Sequence, residues 1–147
     1  MTEVLAELAA LLETAPPRLA HFTEADAAYK PDPERWSKKE ILGHLIDSAS
    51  NNHQRFVRAQ LVLLLDFPEY EQDLWVGVQS YATESWPDLV NLWSLYNRHI
   101  LHLLKAMPDS ALPHEVSVGG KPPIALDAVI TGYVRHVDHH LKQILAG

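Results

Sequence analysis

Apolar residues recur along the chain at intervals of three and four, and strict alternation is nearly absent. That period belongs to helices rather than half-buried strands. Val4, Leu5, Leu8, Leu11 and Leu12 mark one face of a first helix, expected from Thr2, which can cap it, to about Thr14. Pro16-Pro17 is expected to interrupt or restart that helix, since proline suits a first turn and not an interior. Tyr29 to Arg35 (YKPDPER) reads as a loop. Ser37 then stands as an N-cap, with Glu40 three residues on completing a capping box. A second helix is expected from Lys38 to Leu65. Asp66 to Thr83 reads as an irregular, aromatic-rich connection that ends near Glu84. A third helix should start at Ser85 or Trp86, carry Pro87 in its first turn and reach about Met107. Pro108 to Pro123 is a second loop, with Gly119-Gly120 as a turn, and a fourth helix runs from about Ala125 to Leu145. The expectation is an all-α fold: a four-helix bundle with long interhelical connections, forming one domain over residues 1–147.

Charge and composition narrow the partners. The net charge of −7 argues against nucleic acid, which calls for a basic stripe; Arg55 and Arg58 sit singly among apolar residues. There is no cysteine, so disulfides, a thiol nucleophile and a cysteine–zinc site are all excluded. A cytoplasmic location is expected. No basic region precedes an apolar core at the N-terminus, so no signal peptide is expected, and the run Leu61 to Leu65 is too short to span a membrane.

Candidate chemistry lies in the histidines. Arg135-His136-Val137-Asp138-His139-His140 falls inside the fourth helix, and His136 and His140, four apart, share a face one turn apart. Two imidazoles so placed can converge on one metal ion. His139 shares that side less closely and is read as a helper or a bystander. On the second helix, stepping from His44 at ~100° per residue puts Ser48, Asn51 and Arg55 within about 40° of it. These residues form a polar stripe. It is either a solvated face or an interior one flanked by Ile41, Leu42, Leu45, Ile46, Phe56 and Val57. If interior, His44 can complete a facial three-nitrogen site with His136 and His140. The competing reading is isolated, hydrogen-bonded histidines. Three histidines with an open position suit a catalytic zinc, and imidazole also suits nickel, iron or copper.

The stretch WSKKEILGHLIDSASNNHQRF from Trp36 to Phe56 resembles the signature helix of the DinB/YfiT-like superfamily. Tyr70 to Trp75 (YEQDLW) resembles a connection of the YfiT branch, and GYVRHVDHHLKQI resembles its closing helix. The resemblance covers most of the chain from Trp36 onward and weakens in the first helix. It implies a four-helix bundle of DinB/YfiT-like type whose divalent metal is held by His44, His136 and His140. The branch often shows His-His where this chain has Gly43-His44. The second position matches, so the ligand is retained. Members include metal-dependent hydrolases and thiol S-transferases that use low-molecular-weight thiols such as bacillithiol; related families include mycothiol-dependent isomerases.

The leading expectation is a metal-dependent enzyme. Zinc or nickel, with iron or manganese as further candidates, would activate a low-molecular-weight thiol for S-transfer or water for hydrolysis against a small electrophile. Arg55 and Asn51 point along the stripe. A guanidinium there either binds an anionic substrate group or makes an inter-helix salt bridge. Asp47 and Asp138 are candidates to orient a ligand histidine. Tyr70, Trp75 and Trp86 are candidate pocket walls. His99 and His102, three apart, lack partner acids nearby, and His21, His53 and His114 carry no readable signal. The alternative is a non-catalytic metal- or small-molecule-binding stress-response module. A third reading is an interaction protein that dimerises through a helix face, and a homodimer is compatible with either of the others.

Overall fold

The computed structural model describes residues 1–146. Its helices are α1 (Thr2–Ala20), α2 (Glu24–Ala28), α3 (Lys38–Leu61), α4 (Gln72–Val78), α5 (Trp86–Ala106) and α6 (Leu126–Ala146). Three short strands join them: β1 (Leu64–Phe67), β2 (Glu115–Val118) and β3 (Ile124–Ala125). The long helices α1, α3, α5 and α6 form a four-helix bundle. Both α1 and α3 pack chiefly on α5 and α6. The order around the bundle is therefore α1, α5, α3, α6, with α1 diagonal to α3 and α5 diagonal to α6. Long connections make such an order possible, because short ones would force sequential helices to be neighbours.

Local chemistry sets the helix starts. Ser37 Oγ accepts from the Glu40 amide at 3.2 Å while Glu40 Oε1 accepts from the Ser37 amide at 3.0 Å, so the expected capping box opens α3. Ser85 caps α5, with Pro87 in its first turn. Thr23 and Asp26 form a further capping box that starts α2. Thr2 is not a cap. It lies inside α1, whose N-cap position is Met1 with no side-chain bond. Nor do Pro16 and Pro17 break α1. Ala15 and Leu19 are buried in the core on either side of them and hold the last turns in place.

The second helix ends earlier than the pattern suggests. α3 stops at Leu61, Val62 is extended, and Leu64–Phe67 pairs in parallel with Glu115–Val118. β2 pairs antiparallel with β3 through a turn at Gly119 and Gly120, whose φ values of 62° and 75° favour glycine. The connection from Asp66 to Thr83 is likewise not wholly irregular, since it holds α4 and a 3-10 turn at Tyr81–Thr83.

α3 and α6 run antiparallel. At one end Lys38 Nζ donates to the Ile144 carbonyl at 2.8 Å; at the other, His114, just ahead of β2, contacts the Ala59 carbonyl at 2.6 Å. The sheet packs against these two helices at the latter end. Leu8, Leu19, Leu42, Leu45, Phe56, Trp86, Trp93, Ile100, Leu126 and Leu141 are fully buried between the long helices. No helix among the described residues is long and apolar enough to cross a membrane.

Candidate metal centre

The polar stripe of α3 faces inward. His44, Asp47, Ser48, Asn51 and Asn52 are all buried, which removes the solvated-face reading. Because α3 and α6 are antiparallel, the N-terminal half of α3 meets the C-terminal half of α6, and three imidazoles converge there. His44 Nε2 lies 3.0 Å from His136 Nε2. The His44 ring sits 4.9 Å from each of the other two, those two are 4.6 Å apart, and all three pairs meet nearly at right angles. One nitrogen from each of the three lies within 4.8 Å of the others.

Two of the outer ring nitrogens have partners of their own. His136 Nδ1 faces Ser48 Oγ at 3.4 Å and His140 Nδ1 faces Gln143 Oε1 at 2.8 Å. Donation from His140 Nδ1 to the Gln143 side-chain carbonyl leaves His140 Nε2 as its lone-pair nitrogen, and the Ser48 hydroxyl is able to accept from His136 Nδ1 in the same way. His44 Nδ1 is buried and unpartnered, and the Trp36 ring stacks over this imidazole at 5.1 Å. Burial, then the neighbouring His136 and His140, pushes His44 down to about 4; burial, then His140 and His139, does the same to His136. Burial also lowers His140, against an opposing bond to Gln143. All three imidazoles are thus neutral near pH 7, the form that ligates. Two nitrogens bound ~2.1 Å from one ion at 90–110° lie ~3.0–3.4 Å apart, so this donor set fits a divalent ion. His139 is exposed and only abuts the His140 ring, at 4.9 Å.

Neither acid candidate bonds to a ligand histidine. Asp138 pairs with Lys142 at 2.7 Å. Asp47 Oδ1 accepts from Tyr81 Oη and Gln79 Nε2, both at 2.7 Å. The orienting contacts come instead from Ser48 and Gln143. The first was visible as a member of the stripe; the second could have been found by its spacing, three residues after His140.

Farther along α3, Arg55 is half-buried with its guanidinium 5.1 Å over the Phe67 ring and Nη1 3.4 Å from Asn52 Oδ1. The inter-helix salt bridge is absent among the described residues. Asn52 Nδ2 also reaches Ser48 Oγ at 3.3 Å, linking Arg55 to the residue that touches His136. Asn51, by contrast, donates back to the Asp47 carbonyl at 2.9 Å. Tyr70 and Trp75 pack together at 5.0 Å, and a surface cleft of about 600 Å³ runs along Glu69 to Asp73. Trp86 is no pocket wall. It is 2% exposed in the core, and its indole N–H donates to the Leu19 carbonyl. His53 contacts Tyr96 Oη at 2.8 Å, while His21, His99 and His102 are exposed.

A family model described as DinB superfamily matches residues 1–144. No curated protein matches the chain significantly. Among solved structures, YfiT from Bacillus subtilis, described as a probable metal-dependent hydrolase with an unusual four-helix bundle topology, is similar with a TM-score of 0.80 at 20% identity. The match covers 98% of this chain and 85% of YfiT. A mycothiol-dependent maleylpyruvate isomerase is similar with a TM-score of 0.77 at 14% identity. That match covers 97% of this chain and 60% of the isomerase. At these identities the likeness to the two structures is one of fold.

Proposed function

The chain belongs to the DinB superfamily, and from that premise we propose that it is a single-domain, cytoplasmic, metal-dependent enzyme acting on a small molecule. The observation that carries this reading is the convergence of three neutral imidazoles from two antiparallel helices. His44, His136 and His140 would hold a divalent ion, zinc or nickel by preference, whose positive charge would lower the pKa of a bound thiol or water. Ser48 and Gln143 keep the His136 and His140 rings turned to the centre. Arg55 binds an anionic group of the substrate, Asn51 positions it, and Tyr70 and Trp75 line the approach. With no cysteine in the chain, a thiol in the reaction has to come from a small molecule. Thiol S-transfer and hydrolysis are the two outcomes this arrangement serves, and S-transfer to a small electrophile is the first to test.

The test is loss of a low-molecular-weight thiol in the presence of an aromatic halide, with ester hydrolysis followed in parallel. Zinc- or nickel-reconstituted, untagged protein is compared with the His44→Ala variant. Turnover by the parent and none by the variant supports the reading. Equal rates, or no metal taken up by the parent, overturn it.

A further inference from the structure

Negative charge and exposed apolar surface are concentrated on one stretch of the chain. No lysine or arginine stands between Arg58 and Arg98, whereas Asp66, Glu69, Glu71, Asp73, Glu84 and Asp88 do. The chain has 12 basic and 19 acidic residues, so outside these six acids 12 basic face 13 acidic, and nearly all of the net −7 lies here. The same stretch carries Leu61, Leu63, Leu74 and Val78, which are 79%, 78%, 62% and 80% exposed. Single exposed apolar residues are ordinary, but a group of them on one flank marks a contact surface. Helix geometry sets the outward side of α4. Val76 is its buried residue, and Leu74 and Val78, one turn apart, lie roughly opposite it. The cleft of about 600 Å³ along Glu69 to Asp73 lies on the link between β1 and α4, both of which pack on α3. Glu69 is held by Lys121 at 3.1 Å. Asp66, Glu71 and Asp73 are exposed and pair with no cation among the described residues.

We propose that this flank docks a basic amphipathic helix of another protein. The apolar side of that helix lies on Leu74 and Val78, and its lysines and arginines meet Asp66, Glu71 and Asp73. Charge decides the occupant. A second copy of this chain would set like charges against each other, and an anionic bilayer or a nucleic acid would be repelled in the same way. Spacing decides its form. Anchors one turn apart match the i, i+3, i+4 pattern by which an amphipathic helix seats on an apolar strip. The long stems of lysine and arginine cover apolar surface while their heads reach carboxylates at its rim. The inference stands apart from the metal-centre reading.

The test is fluorescence anisotropy of a labelled leucine–lysine peptide, patterned as a helix with one apolar face, titrated with the whole chain. Two control peptides replace every lysine by glutamate or every leucine by serine. Only the leucine–lysine peptide is expected to bind, and less tightly as salt rises. The pair Leu74→Ser and Val78→Ser should weaken it by about fivefold or more, and so should the pair Glu71→Gln and Asp73→Asn, as removal of interface anchors does. All four residues are exposed, so the fold is kept, and thermal melts check it. The pair Glu3→Gln and Glu7→Gln removes the same charge from exposed positions on α1 and should leave binding unchanged. No binding by the parent, or a smaller loss in either α4 pair, would overturn the proposal. So would an equal loss in the α1 pair, which would mean attraction by net charge alone. Sedimentation and phosphatidylserine vesicles test the other occupants. Self-association or vesicle binding that the Leu74→Ser and Val78→Ser pair removes would assign the face to a second copy or to a membrane instead.

Discussion

The ring of Tyr81 fills the space that a side chain at position 43 would need. A Cβ built on Gly43 would lie 2.2 Å from Tyr81 Cδ2 and 2.4 Å from Cγ. These atoms are at the base of a buried ring that cannot swing aside, and its hydroxyl is fixed on Asp47. The glycine one residue before His44 is thus the seat of the residue that orients Asp47.

Gly43→Ala is accordingly expected to destabilise the fold by about 1–3 kcal/mol through overpacking. In a Tyr81→Ala background the same change should cost much less. Denaturant unfolding of the four proteins of this double-mutant cycle checks it. Additive effects would show that the ring is not what fills the space.

Metal content should separate the four candidate histidines. Elemental analysis of reconstituted, untagged protein is expected to give about one ion per chain, as a single three-histidine site requires. The His44→Ala, His136→Ala and His140→Ala variants should fall to background. His139→Ala should keep its metal, because that side chain is exposed and only abuts His140.

The contacts to the outer nitrogens predict a milder class of variants. Ser48→Ala and Gln143→Ala leave every ligand present but free a ring to turn. Affinity should weaken about tenfold to a hundredfold, the usual effect of such partners. Competition with a chromophoric chelator measures it. Affinities equal to the parent's would mean that packing alone, including Trp36 on His44, orients the rings.

His53 supplies a pH dependence away from the centre. Burial, and then the charge of His99, lowers its pKa from 6.5. The unfolded chain therefore takes up this proton first as pH falls. The stability contributed is complete above about pH 6.5 and is lost as pH falls toward the folded-state pKa. An NMR titration of His53 should show a midpoint below 6.5. The parent should lose more stability between pH 7.5 and 5.5 than His53→Gln; an equal loss would mean that His53 does not titrate differently on folding.

The long elements were legible because each carries many apolar positions at one period. The start of α3 comes at its expected cap, Ser37, and α5 begins within the expected Ser85–Trp86, where Pro87 in the first turn is a local signal. The end of α3 was not legible. Leu61 to Leu65 has the composition of a helix tail, and only pairing with Glu115–Val118, some fifty residues away, makes Leu64–Phe67 a strand. At the centre, the spacing of His136 and His140 was local and readable, whereas the contacts of Asp47 were not. Tyr81 and Gln79 reach Asp47 from another segment, and helical spacing says nothing of that.

The diagonal placement of α1 against α3, and of α5 against α6, bears on how the molecule forms. A bundle of successive hairpins can assemble pair by pair, but here the first two long helices share no main contact, nor do the last two. His44 and His136 are 92 positions apart, so the pair meets only when the chain has nearly finished closing. Such non-local closure is entropically slow. An ion bridging those side chains would fasten the last contact made and the first to open. Chelation should therefore speed unfolding of the whole bundle rather than fray its ends.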